Sequence, residues 1–145
     1  NSWYVDYISK MAEDEILPGA KDFIRWLRDN HIKIALGSAS KNAGLILERL
    51  ALTDYFDAVV DGHKATKAKP DPQVFLMAAE ALGAAPQNSI VFEDARAGVE
   101  AAKRAGMRCI GIGTPEALPE ADMVIPGFDG LQSEGFSRLI CPCSA

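Results

Sequence analysis

Three small groups of residues stand where an apolar run gives way to polar side chains, and each has a chemistry to offer. The run IKIALG is followed by Ser38, Ala39, Ser40, Lys41 and Asn42. Small hydroxyl residues leaving a strand and entering a helix bind phosphate oxygens well, because backbone N–H groups and the helix dipole point the same way. The same residues also serve as plain helix caps, through Ser40 or Asn42. Lys69 lies in KAKPDP, where its ammonium could neutralise a phosphoryl group as a point charge; the neighbouring basic residues of HKATKAK read equally as a solvated face. Glu93 and Asp94 end the run SIVFED. Adjacent carboxylates repel unless a cation sits with them, and magnesium prefers oxygen ligands. A helix cap by Asp94 is the competing use.

These groups need elements to carry them. Ala20, Phe23, Ile24 and Leu27 recur at helical spacing after Pro18, which predicts a helix over about residues 18–30. The run IKIALG reads as a buried strand, residues 42–50 as a helix through Leu45, Leu47 and Leu50, and AVVDG as a short strand. A longer helix should open at Asp71 and Pro72, bury Val74, Phe75, Met77, Ala78 and Ala81, and stop at Gly83. SIVFED is then a strand, residues 97–105 a helix ended by Gly106, and RCIGIG and DMVIPG two further strands. Strands alternating with helices imply an α/β fold, a Rossmann-like parallel sheet with helices on both faces. Function on such sheets gathers at the carboxyl ends of the strands, where all three groups fall.

Bulk properties narrow the partners. A chain of 145 residues suits one core, and 48% hydrophobic with 24% charged residues is ordinary globular composition. A net charge of -5 argues against nucleic acid. No run approaches the roughly 20 apolar residues of a membrane span, and the opening NSWYVDYISK is not built as a signal peptide, so the expected location is cytoplasmic with no membrane partner. Three cysteines are too few and too uneven for a disulfide framework: Cys109 suits a buried strand, and Cys141 and Cys143 flank a proline in a tail. No G-x-G-x-x-G follows a strand, since GIGTPE around Gly111 and Gly113 lacks the third glycine. His31 and His63 fall in polar turns and read as exposed structural residues.

The ordered set GSASKN, KAKPDP and VFEDARAGVEAAKRAGM resembles the second, third and fourth motifs of the haloacid dehalogenase superfamily, in wording closest to its β-phosphoglucomutases. The likeness runs to about Ile125. It implies that Ser38 and Lys69 are catalytic groups holding the transferring phosphoryl group. It also implies that Glu93 and Asp94 bind magnesium, Asp94 more directly, and that Ala39, Ser40, Lys41 and Asn42 belong to the loop gripping the second phosphate of a phosphorylated sugar. The implied activity is a magnesium-dependent sugar-phosphate mutase. A sugar-phosphate phosphatase of the same superfamily, or a non-catalytic remnant binding phosphate or a partner, are the alternatives.

The resemblance also implies a central strand, between the strand ending at Ser38 and the one ending at Glu93, that carries a nucleophilic aspartate in a D-x-D motif. No D-x-D occurs in the chain, so this chain by itself is expected to be inactive. Residues 1–17, with Trp3, Tyr4 and Tyr7 at helical spacing, read as a helical tail resembling the end of a cap domain, residues 18–130 as the core, and residues 131–145 as a second tail. With the central strand missing, two buried rows of backbone groups would go unpaired at about 1 to 3 kcal/mol each. The expectation is that the flanking strands close up, that another chain supplies a strand, or that the segment exists elsewhere. Self-association or strand exchange would follow.

Overall fold

The computed structural model describes residues 4–7, 19–38, 41–49 and 51–128. The tail over residues 131–145, with Cys141 and Cys143, lies outside them, as do Ala39 and Ser40. The elements run β1 (Tyr4–Tyr7), α1 (Ala20–Asp29), β2 (Lys33–Gly37), α2 (Ala43–Arg49), β3 (Ala58–Val60), α3 (Gln73–Leu82), β4 (Ser89–Glu93), α4 (Arg96–Arg104), β5 (Arg108–Ile112) and β6 (Met123–Ile125). All pairings are parallel, in the order β3-β2-β1-β4-β5-β6.

Strand alternation divides the core. Ile34 and Leu36 of β2, Ile90 and Phe92 of β4, and Ile110 and Ile112 of β5 face α1 and α2, where they meet Phe23, Ile24, Leu27 and Leu47. Ala35, Val91 and Cys109 point the other way, against Val74, Phe75 and Ala78 of α3 and Val99 and Ala102 of α4. The same parity carries Glu93, two residues beyond Val91, to the α4 face. Gly83 and Gly106 end α3 and α4 with φ of 66° and 78°, the left-handed conformation that glycine adopts without strain.

Two local expectations need adjusting. Helix α3 starts at Gln73 rather than Asp71; Asp71 sits before it and its Oδ1 accepts the Gln73 N–H at 2.9 Å. The larger correction concerns the start of the chain. Tyr4–Tyr7 is a strand and not part of a helical tail, and it fills the central slot, pairing with β2 on one side and β4 on the other. The flanking strands therefore do not close up on each other. Two tyrosines and a valine among four residues are good strand formers, and a slot with two open edges satisfies their backbone groups as no helix at that place could.

Burial of Cys109 in β5, with Glu93 adding to it, pushes its thiol up to about 12 from an ordinary 9.0. The folded state thus favours the protonated thiol: this contribution to stability is whole below pH 9.0 and is lost as pH rises toward 12. Iodoacetamide at pH 8 should leave Cys109 unmodified until the chain unfolds, as read by peptide mass mapping. Modification of Cys109 as fast as a free thiol would contradict its burial.

Candidate functional site

Because the strands are parallel, Gly37 of β2, Tyr7 of β1 and Glu93 of β4 all end on one edge of the sheet. Ser38 continues from β2, its N–H donating to the Val60 carbonyl at 2.9 Å, which ties the departing loop to the end of β3. Lys41 and Asn42 are exposed in the turn before α2. Ser38 and Glu93 share the edge with β1 between them, so their strands run about 10 Å apart.

Lys69 reaches the edge from the segment between β3 and α3, through a cis Lys69-Pro70 peptide. That segment is held by Gln73, whose Oε1 accepts the N–H of Thr66 at 2.7 Å and of Lys67 at 2.8 Å. Lys69 Nζ lies 3.0 Å from Glu93 Oε2 and 4.9 Å from the centre of the Phe75 ring. A cleft of about 190 Å³ opens beside it, lined by Thr66, Lys67 and Val74.

Glu93 is 2% exposed and has both oxygens engaged. Oε2 takes Lys69, while Oε1 accepts the N–H groups of Asp94 at 3.0 Å and Ala95 at 3.1 Å. Burial raises its carboxyl above the ordinary range, and the ammonium of Lys69 opposes that without cancelling it. Asp94 is the reverse case: its Oδ1 is buried and has no hydrogen-bond partner among the described residues. A buried carboxylate oxygen left bare is costly, and a hard cation is the partner whose chemistry suits it.

The two acids, both expected at magnesium with Asp94 the more direct, thus differ in their surroundings. Glu93 anchors Lys69, and Asp94 presents the oxygen that a metal could use. Among the described residues no three His, Cys, Asp or Glu side chains cluster, so magnesium here would draw its remaining ligands from elsewhere, as an ion that retains waters commonly does. His31 and His63 are both exposed; His31 precedes the amino end of β2, and His63 follows the carboxyl end of β3, its N–H donating to Asp61 Oδ1. Gly98 was given no role from the sequence; the signal available was a glycine five residues after Glu93, inside a helix that would otherwise favour alanine.

Residues 4–106, more than half of the chain, match the haloacid dehalogenase-like hydrolases. The chain belongs to that family. Among curated relatives of this haloacid dehalogenase-like chain, β-phosphoglucomutase from Bacillus subtilis is 42% identical over 125 residues, which are 86% of this chain and 55% of that protein. A phosphorylated carbohydrates phosphatase from Thermotoga maritima is 38% identical over 95 residues, 64% of this chain and 44% of the relative. The crystal structure of β-phosphoglucomutase from Clostridium difficile superposes with a TM-score of 0.81 at 39% identity, covering 89% of this chain and 58% of the other. The chain therefore spans about half the length of these relatives. The parallel sheet with helices on both faces is the family fold, and among the described residues no helix is long and apolar enough to cross a membrane.

Proposed function

We propose that this chain carries the phosphate- and metal-binding edge of a sugar-phosphate mutase of the β-phosphoglucomutase kind. The observation that carries the reading is the division of labour at β4. A buried Glu93 fixes the Lys69 ammonium, while the neighbouring Asp94 keeps a buried oxygen without a partner among the described residues. In this reading Lys69 and Ser38 hold the transferring phosphoryl group, with Lys41, Asn42 and the adjoining Ala39 and Ser40 toward a second phosphate. Asp94 holds magnesium, which when bound offsets charge developing on phosphoryl oxygens. Glu93 is reassigned from ligand to anchor, because both of its oxygens are engaged. The likeness to the mutases of Bacillus subtilis and Clostridium difficile supports the sugar phosphate as substrate. The match to the Thermotoga maritima phosphatase keeps phosphatase chemistry as the second reading.

The nucleophile is where the chain departs from the family. Strand β1 stands in the slot of the nucleophile strand, yet its one aspartate, Asp6, is in register with Val91, two residues short of Glu93 and about 7 Å back from the edge. The chain alone should then bind ligand without turning it over. The test is turnover of β-glucose 1-phosphate by this chain and by the same chain extended at its amino end with a cap preceded by a D-x-D strand, which would take the central slot from β1. Isomerisation only in the extended form is expected. Isomerisation by the chain alone would overturn the assignment, and release of inorganic phosphate by the extended form would favour the phosphatase.

A further inference from the structure

Glu93 and Gly98 compete for one volume. A Cβ placed on Gly98 would lie 2.0 Å from Glu93 Cδ, 2.0 Å from Oε2 and 2.2 Å from Cγ. Carbon atoms in contact stand about 3.5 to 4.0 Å apart, so the two cannot coexist as they are. Nothing in the backbone requires glycine there: Gly98 lies within α4 and is not among the glycines with positive φ. Alanine would be the better helix former. The requirement comes from β4. Its parity sends the Glu93 side chain to the face on which α4 packs through Val99, Ala101 and Ala102. The carboxylate then lies directly against the first turn of that helix. Glu93 has little room to withdraw, since Oε1 is held by two backbone N–H groups and Oε2 by Lys69.

We propose that Gly98 is a positioning residue: the space left by its absent side chain sets the depth of the Glu93 carboxylate and, through it, the place of the Lys69 ammonium. What that ammonium binds rests on the function proposed above; the placement itself does not. The experiment compares Gly98→Ala, Glu93→Ala and the double variant with the parent chain, using two readouts. The acylation rate of Lys69 by acetic anhydride in metal-free buffer, resolved by mass spectrometry, reports the ion pair alone. Calorimetric affinity for magnesium with aluminium fluoride reports the binding edge.

Gly98→Ala should accelerate Lys69 acylation and weaken binding, each by about tenfold. Glu93→Ala alone should also accelerate acylation, and adding Gly98→Ala to it should change neither readout further, because no atom beyond Cβ then remains at position 93 to meet the new Cβ. Unchanged Lys69 reactivity in Gly98→Ala, or a further change on adding Gly98→Ala to Glu93→Ala, overturns the proposal. If Gly98→Ala does not fold, a cooperatively unfolding double variant supports it and an unfolded one overturns it. If the acylation pattern is as expected while the parent chain binds no magnesium with aluminium fluoride, the positioning role stands and the proposed function falls.

Discussion

Replacing Lys69 with methionine is expected to lower the unfolding free energy by about 3 kcal/mol at pH 7.5, one of the larger losses any single change near this edge should bring. The side chains of Lys69 and Glu93 are only 16% and 3% exposed, so solvent does little to screen the pair or to rescue a carboxylate left behind. The Phe75 ring, completely buried beneath the ammonium, would keep water out of the gap. The deficit should shrink with acid, and the sign follows from the raised carboxyl of Glu93. A group whose folded pKa lies above its unfolded value contributes stability that is whole below the unfolded pKa and is lost as pH rises through the folded one. Removing Lys69 takes away the cation that restrains that rise, so the variant should lose more at neutral pH than at pH 5. Urea unfolding of parent and variant at both pH values reads this directly. Adding Glu93→Gln to Lys69→Met should recover most of the loss, and an equal deficit at both pH values would mean that the pair is not electrostatically significant.

Asp94→Asn should divide binding from stability. Converting the carboxylate to an isosteric amide removes the charge proposed to face magnesium, and the affinity for the ion should fall about 100-fold, some 2.7 kcal/mol. In metal-free buffer the unfolding free energy should not fall. A buried oxygen without a partner among the described residues is a cost carried by the folded state, so relieving it is expected to be neutral or to stabilise by about 1 kcal/mol. Lost binding together with retained stability marks a residue kept for a ligand. A destabilised variant with undiminished magnesium affinity would instead make Asp94 a structural acid.

Most of the framework that carries this edge was legible in the residues. The periodicity of Phe23, Ile24 and Leu27 and the stops at Gly83 and Gly106 marked helices to within one or two residues, and the apolar runs marked β2 to β6. Two things were not. The first is β1: Trp3, Tyr4 and Tyr7 have helical spacing, and local pattern outweighed the strand preference of YVDY because the deciding force is tertiary, two open strand edges on either side. The second is the difference between Glu93 and Asp94. Adjacent acids look alike in sequence, but adjacent residues point to opposite faces of a strand. Counting from Ser89 and Val91 would have sent Glu93 into the α4 face and its neighbour past the strand end. The loop at Ser38 was placed correctly on the edge, while its partners Ala39 and Ser40 lie outside the described residues.

Binding of a phosphoryl group and magnesium together at this edge, through Lys69 and Asp94, can be read in one calorimetric titration: magnesium with aluminium fluoride into the parent chain, Lys69→Met and Asp94→Asn, each first shown to be folded. Saturable binding to the parent and a loss of about tenfold or more in each variant are expected. No binding to the folded parent, or equal binding to all three, would contradict joint binding through Lys69 and Asp94.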